Sequence, residues 1–308
     1  MINDNDIEIF NIPVAGKMDP EALIKVLAEI GEEVEPAGAA DGKELIGRKD
    51  FALNLFAKRA WMHTAHTFGY LAPTGPVNGQ TQSISHAGDI TADPTLKNTR
   101  IKITLDRLRV ADYPGRGKHS ILFDFYAENQ LENAREPLHF SNTYSAMEGE
   151  QAALIGYPIF IGLNVGKDGI SFRCFTVNVK NDSDEQFLKF LDSDEFKAGL
   201  QLTEKLQPAI APLSKMALGI SQAIAKRNRN IPVQNFNMGL EFSNIATRAR
   251  LREGSYIEVQ IPESISVIWD WDEWVFNPKN GQIVNRDDMT QLVPYNYIVF
   301  SISRYEGA

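Results

Sequence analysis

Apolar residues in the first part of the chain recur at the three- and four-residue spacing of a helix. Asp19-Pro20-Glu21 offers a capping acid, a proline at the first helical position and an acid in the first turn, so a helix is predicted from residue 20. Gly31 can end it. A second helix is predicted to begin near Asp50 and to carry Phe51, Leu53, Leu55, Phe56 and Trp61. Residues 1–70 are therefore expected to be mostly helical.

From Arg100 onward the period changes to two, which is typical of strands. Between Ile121 and Tyr126 alternate residues are predicted to project to opposite faces of one strand. Gly166-Lys167-Asp168-Gly169 predicts a hairpin between strands 157–165 and 170–179. Later strands are predicted near 233–242, 256–261, 266–271 and 295–304, with a hairpin at Asn280-Gly281.

A helical insert separates the two blocks of strands. It is predicted near 187–228, where apolar residues again recur at helical spacing, and it ends in the basic stretch Lys226-Arg227-Asn228-Arg229. Two blocks of strands with little β-α-β alternation predict an α+β fold. It is expected to be mainly an antiparallel β-sandwich, C2-like or jelly-roll-like by analogy, with an N-terminal helical region and this insert.

Breaker residues suggest how the chain is divided. Residues 71–98 are crowded with Pro, Gly and Asn and are predicted to be a linker or a functional loop. The division that follows is a helical N-terminal region over 1–70, this segment over 71–98, and a β-sandwich domain with its helical insert over 99–308.

Composition narrows the classes of function. The 308-residue chain carries a net charge of −9, so a general electrostatic attraction to nucleic acid is not expected. Its single cysteine, Cys174, excludes an intrachain disulfide and a multi-cysteine metal site. No apolar run is long enough to span a bilayer, and residues 1–6 do not resemble a secretion signal. A soluble, acidic protein of the cytoplasm is the expectation, and peripheral membrane contact stays open.

Motifs for nucleotide or serine chemistry are missing from the sequence. It contains no GxxxxGK[ST] loop, no GxGxxG between a strand and a helix, and no GxSxG. No cofactor can be named from the residues, and whether the protein is an enzyme stays open.

Histidines suggest one possible metal site. His63 and His66 are three residues apart, so on a helix they would share a face. Together with His86 and Asp89 from the following loop they could hold zinc or iron. The glutamate of HExxH is absent, and a pair of surface histidines is the alternative interpretation. Acids near Asp182 and Asp184 allow calcium or, alternatively, the capping of a helix.

The densest signal is a cluster of three tryptophans and three acids. It reads Trp269-Asp270-Trp271-Asp272-Glu273-Trp274. On a strand, Trp269 and Trp271 would share one face, which is predicted to pack on the core, and Trp274 would lie at the rim. Such aromatic surfaces pack cores or bind ligands and partners.

Three functions of different classes remain. The leading hypothesis is a non-catalytic cytosolic binding or assembly protein, which uses the aromatic and acidic patch to bind a protein partner or a second copy of itself. The first alternative is a metal-dependent hydrolase built on the His/Asp cluster. The second is a membrane-associating effector whose helix 208–228 leaves the sandwich and lies on lipid.

Overall fold

The computed structural model describes residues 8–32, 59–73, 80–131, 134–191, 193, 210–243 and 248–306. Fourteen strands lie in this part of the chain, and they form three sheets. In chain order they are β1 Ala65–Leu71, β2 Gln82–Ser83, β3 Ser85–His86, β4 Arg100–Arg109, β5 Lys118–Leu131, β6 Ala134–Met147, β7 Gln151–Asn164, β8 Gly169–Val179, β9 Ile231–Glu241, β10 Ala249–Arg250, β11 Gly254–Ile261, β12 Trp274–Asn277, β13 Gln282–Asn285 and β14 Tyr297–Arg304.

The described residues also form three α-helices. The α-helices of the described residues are α1 Pro20–Glu29, α2 Glu185–Leu191 and α3 Ile210–Ala225. The predicted helix from residue 20 is confirmed, because Asp19 accepts hydrogen bonds from the backbone of Glu21 and Ala22. Gly31 follows at φ +74°, a conformation that favours glycine. The insert is helical at α2 and α3. Of the second predicted helix, residues 50–58 lie outside the described residues, and Trp61 lies in the 3₁₀ turn Ala60–Met62 rather than in an α-helix.

Two large sheets face each other as a sandwich. The six-stranded sheet has the order β3-β1-β11-β14-β4-β7, and the five-stranded sheet has the order β10-β9-β8-β5-β6. Nearly all neighbours pair antiparallel; β9 and β10 are parallel. Large apolar side chains fill the space between the sheets, as in the contact of Phe172 with Phe300, whose ring centroids are 4.9 Å apart. The predicted class, an α+β fold dominated by an antiparallel sandwich, is confirmed; the C2-like or jelly-roll-like analogy stays a prediction.

The outer faces of both large sheets are also covered. The three-stranded sheet β13-β12-β2 lies over the six-stranded sheet, and the two enclose a second apolar cluster that includes Ile257, Val259 and Val299. Helix α3 and the turn Glu8–Asn11 lie against the outer face of the five-stranded sheet. Apolar residues of α1, such as Leu23 and Leu27, belong to the main core.

Three local predictions were wrong. Residues 65–70 form β1 rather than a helix, because every residue of this segment pairs with β11. Strands 157–165 and 170–179 do not form a hairpin, since β7 pairs with β4 and β8 pairs with β5 and β9. The turn at 165–168 thus passes from one sheet to the other. The predicted strand over 266–271 is a loop with a 3₁₀ turn.

Part of the segment 71–98 belongs to the sheets. β2 pairs with β12, and β3 pairs with β1. Ile84, Ala87 and Leu96 are buried, so apolar side chains anchor this segment. The division into domains at residues 70 and 98 stays a prediction.

Candidate binding surface

The tryptophan cluster lies on a loop between β11 and β12, here called the aromatic loop (residues 263–274). Two short 3₁₀ turns shape it, Glu263–Ile265 and Trp271–Glu273. Asp270 begins the second turn, because its carboxylate accepts a hydrogen bond from the backbone N–H of Asp272 at 2.8 Å. Local capping by this acid competes with strand pairing, which explains why the alternating pattern does not produce a strand.

Three tryptophan rings form the base of the loop. Trp269 stacks on Trp274 with 5.8 Å between ring centroids and 7° between planes. It meets Trp271 edge to face at 5.4 Å. Trp271 and Trp274 are buried, while Trp269 is half-buried. Trp271 is buried as predicted. Trp274, predicted at the rim, is buried, and Trp269, predicted to face the core, is half-buried, because the 3₁₀ turn changes the direction of the side chains.

Gly69 on β1 makes room for the buried Trp271. A β-carbon at residue 69 would lie 2.6 Å from Ile84 Cγ2 and 2.9 Å from Trp271 Cη2. Both distances are shorter than normal contacts, so only glycine allows the indole to lie against the strand. The aromatic loop is thus seated on the outer face of the six-stranded sheet.

The tip of the loop exposes two aliphatic side chains. Val267 is 93% exposed and Ile268 is 74% exposed, the highest values among the large apolar side chains of the described residues. Local hydrogen bonds hold this tip, since Ile268 N donates to Ile265 O at 3.1 Å and Ser266 Oγ donates to Glu263 O at 2.8 Å. Adjacent exposed aliphatics on an ordered turn are typical of a contact surface.

Acids surround the tip. Asp270, Asp272 and Glu273 are exposed, and Glu263 at the start of the loop accepts a hydrogen bond from Thr64 Oγ1 at 2.6 Å. Arg286 fixes the far side of the loop, where its Nε donates to the carbonyl oxygen of Asp272 at 2.6 Å. The surface therefore combines an apolar tip with a negative rim.

The predicted histidine site is not assembled as expected. His66 lies on β1, and His63 ends a 3₁₀ turn, so the two are not an i, i+3 pair on a helix. His63 packs edge to face on Tyr295, with 5.5 Å between ring centroids, and burial lowers its pKa. His66 Nδ1 lies 2.5 Å from a carboxylate oxygen of Glu258.

The remaining two residues of that set are close only to each other. His86 Nδ1 lies 3.9 Å from Asp89 Oδ1, and both side chains are exposed. Within the part of the chain that the structure describes, no group of three or more His, Cys, Asp or Glu side chains could hold a metal ion.

The acids considered for calcium contact basic residues of the same chain. Asp184 is buried, forms an ion pair with Arg227 and accepts a hydrogen bond from Asn230 Nδ2 at 2.6 Å. Arg229 lies 3.6 Å from Asp182. The basic stretch after α3 therefore neutralises the acids that precede α2.

Two buried polar networks were not predicted. In the first, Glu258 accepts hydrogen bonds within the sandwich from His66 and from Gln234 Nε2 at 3.2 Å, and Tyr113 Oη donates to Gln234 at 2.9 Å. Burial raises the pKa of Glu258, and His66 opposes that shift. On β11 Glu258 alternates with Ile257 and Val259, a pattern that predicts a solvent-facing acid, so the sequence carried no signal for its burial.

The second network lies on the outer face of the five-stranded sheet. Asp124 accepts hydrogen bonds from His139 Nδ1 at 2.8 Å and from Ser141 Oγ at 2.9 Å, and all three residues are buried. Ser141 also contacts Ser221 of α3 at 2.8 Å. The alternation of β5 places Asp124 beside Leu122 and Tyr126, but only the fold brings His139 and Ser221 to it.

Neither Cys174 nor His119 offers an accessible reactive group. Cys174 is fully buried, and burial raises the pKa of its thiol. His119 is also fully buried, and burial together with the nearby Lys180 lowers its pKa to about 4. A nucleophilic thiolate is disfavoured in such surroundings.

Comparisons with known proteins return no matching family model, no similar curated protein and no similar solved structure. No helix in the described part of the chain is long and apolar enough to cross a bilayer. Function must therefore follow from the chemistry of the described side chains, and among these the aromatic loop is the most exposed apolar feature.

Proposed function

We propose that this is a non-catalytic binding protein whose aromatic loop docks on a partner protein. The observation that carries the proposal is the exposure of Val267 and Ile268 on a loop whose base is buried. Exposed aliphatic side chains gain free energy when a partner removes them from water, about 25 cal/mol for each Å² of apolar surface. A partner with an apolar cleft would bury both.

Rigidity of the base favours this role. The stack of Trp269 on Trp274 and the cap at Asp270 hold the tip in one conformation before binding. Less conformational entropy is then lost on association, which is the usual benefit of a preorganised surface. Half-buried Trp269 adjoins the tip and offers the kind of aromatic contact that dominates many interfaces.

The acids of the rim define the chemistry of the partner. Asp270, Asp272 and Glu273 would attract lysines or arginines placed around an apolar cleft. Two copies of the same loop meeting face to face would bring these acids together, so a different, basic partner is favoured over self-association. The membrane-associating effector is disfavoured for a different reason, since α3 packs on the five-stranded sheet with Ala217 and Ile224 buried.

The proposed location is the cytoplasm, where a chain whose single cysteine is buried has no need of an oxidising compartment. The metal-dependent hydrolase remains without a supporting observation, because His63 and His66 contact side chains other than His86 and Asp89.

The test is cross-linking from the tip. A photoreactive amino acid in place of Val267 should label a partner protein in a cell extract. The same amino acid in place of Met289, which is 44% exposed outside the aromatic loop, is the matched control and should not label that protein. Labelling of a second copy of the chain would indicate self-association, and labelling of lipid alone would indicate a membrane surface. Either result, or equal labelling from both positions, would contradict the proposal.

A further inference from the structure

Two rows of polar and aromatic side chains cross the outer face of the five-stranded sheet. Strand register places paired residues beside one another on β9, β8, β5 and β6. The first row is Asn237, Arg173, Tyr126 and His139, and the second is Asn235, Phe175, Asp124 and Ser141. This face differs from the apolar interior of the sandwich, since most of its members carry a hydrogen-bonding or charged group.

Phe10 lies on these rows. Its ring stacks on His139 at 6.3 Å between centroids and meets Tyr126 and Phe175 edge-on at 6.0 and 6.4 Å. The guanidinium carbon of Arg173 lies 5.2 Å from the centroid of the same ring. One aromatic ring therefore fills a pocket whose walls are two aromatic side chains, an imidazole and a cation.

Two nitrogen atoms around this ring have no hydrogen-bond partner among the residues that the structure describes. His139 is 2% exposed, and its Nδ1 is occupied by Asp124, while its Nε2 is buried without a hydrogen-bond partner among the described residues. The Nε of Arg173 is likewise buried and unpaired within those residues, and Arg173 forms no ion pair with any carboxylate there. Buried polar groups without partners are uncommon and call for a reason.

Few polar contacts hold the turn that carries Phe10. Phe10 belongs to the 3₁₀ turn Glu8–Asn11, and its carbonyl oxygen accepts a hydrogen bond from Asn235 Nδ2 at 2.8 Å. Glu8 pairs with Lys226 at 2.7 Å, but both side chains are half exposed, so this ion pair adds little. Ile9 anchors the turn in the core.

We infer that the pocket under Phe10 is a binding site for a small planar aromatic carboxylate, and that the chain's own phenylalanine closes it. The ligand's ring would replace the ring of Phe10 between His139 and Tyr126. Its carboxylate would supply Arg173 with the anion that the described residues do not provide. This site is independent of the aromatic loop, so either proposal can fail alone.

Truncation of Phe10 opens the pocket for a direct test. Calorimetric titration of Phe10→Ala with phenylacetate and with its neutral counterpart phenylacetamide measures the preference for an anion. A charge-assisted contact predicts that Phe10→Ala binds phenylacetate at least about tenfold more tightly than phenylacetamide, and about tenfold more tightly than the wild-type protein does. Adding Arg173→Gln should remove the preference for the anion.

Met289→Ala is the control, because it truncates an exposed side chain outside this turn and should bind each probe as the wild-type protein does. Equal affinity of Phe10→Ala for the two probes, or no affinity for either, would overturn the inference. If Phe10→Ala fails to melt cooperatively, Asn235→Ala in the otherwise intact chain takes its place. Loss of the hydrogen bond to Phe10 should then raise the affinity for phenylacetate above that of the wild-type protein, and an unchanged affinity would overturn the inference.

Discussion

The indole of Trp269 lies parallel to that of Trp274, with 5.8 Å between ring centroids and 7° between planes. One of these rings is buried and the other is half-buried, so the pair connects the apolar cluster on the outer face of the six-stranded sheet to the surface of the aromatic loop. The exposed tip at Val267 and Ile268 lies next to this pair of rings. The aromatic loop therefore contributes both to the packing of the fold and to the proposed binding surface.

Truncation of each of the three tryptophans should show how much its ring contributes to the stability of the fold. Trp271→Ala and Trp274→Ala should each lower the free energy of unfolding by about 3–5 kcal/mol, the usual loss for a buried large aromatic side chain. Trp269→Ala should cost less, because its ring is half-buried. Denaturant unfolding monitored by circular dichroism measures all three. A cost for Trp269→Ala equal to that for Trp274→Ala would contradict the arrangement of the rings.

Gly69→Ala should destabilise the seat of the aromatic loop. The added methyl group would lie 2.6 Å from Ile84 Cγ2 and 2.9 Å from Trp271 Cη2, and overpacking of this kind costs about 1–3 kcal/mol. Gly219→Ala on α3 is the control, because nothing lies within 4 Å of its β-carbon position. That change should be neutral or stabilising by up to about 1 kcal/mol. A Gly69→Ala variant as stable as Gly219→Ala would show that Trp271 does not press on the strand.

Acid should destabilise the fold through His119. Its pKa is lowered from 6.5 to about 4 in the folded protein, chiefly because it is buried. As the pH falls below 6.5, the unfolded chain binds a proton at this residue and the folded chain does not until about pH 4, so stability is lost across that window. The slope should reach at most about 1.4 kcal/mol per pH unit.

His119→Gln should reduce this slope between pH 6.5 and 4, measured by urea unfolding at several pH values. The control is Met289→Gln, which replaces an exposed side chain that does not titrate and should leave the slope unchanged. Equal slopes for wild type and His119→Gln would mean that the buried imidazole is not the group responsible.

His66 and Glu258 should behave as a coupled pair. Removing one partner of a buried pair leaves the other without its compensating contact. His66→Ala should therefore lower the free energy of unfolding by about 3–5 kcal/mol at neutral pH. Glu258→Gln should cost less, because it removes a carboxyl whose pKa is raised by burial. With that raised pKa, the folded protein holds the proton at pH values where the unfolded chain has lost it. The contribution of Glu258 to stability therefore declines as the pH rises through that range.

A double-mutant cycle tests this coupling. The combined variant should be more stable than His66→Ala alone, since the carboxylate that lost its partner is gone. If the loss of stability in the double variant equals the sum of the losses in the two single variants, the 2.5 Å contact between His66 and Glu258 contributes no interaction energy.

Local signals in the sequence were sufficient for some elements. Asp19 and Pro20 mark the start of α1, and Asn280-Gly281 marks the turn between β12 and β13, where Gly281 has φ +69°. Both depend on contacts between near neighbours, which a sequence displays directly. The turn at 165–168 shows the limit, because a reversal of the chain does not reveal which sheet the next strand will join.

The candidate site was located by its residues but not by its geometry. Clustering of tryptophan identified the aromatic loop, yet the capping hydrogen bond of Asp270 overrode the two-residue alternation and reversed the expected places of Trp269 and Trp274. The exposed pair at Val267 and Ile268 carried no sequence signal, since aliphatic residues are usually buried. Contacts such as His139 with Asp124, 15 positions apart, depend on strand register.

The affinity of the cross-linked partner for variants of the aromatic loop decides whether the tip of this loop is the binding surface. Val267→Ser combined with Ile268→Ser should weaken binding at least about tenfold, because loss of two buried aliphatic side chains costs more than 1.4 kcal/mol. Asp270→Asn combined with Asp272→Asn should weaken it and reduce its dependence on salt. Met289→Ser should bind as the wild-type protein does. An affinity unchanged by the replacements at Val267 and Ile268 would show that the partner binds elsewhere on the protein.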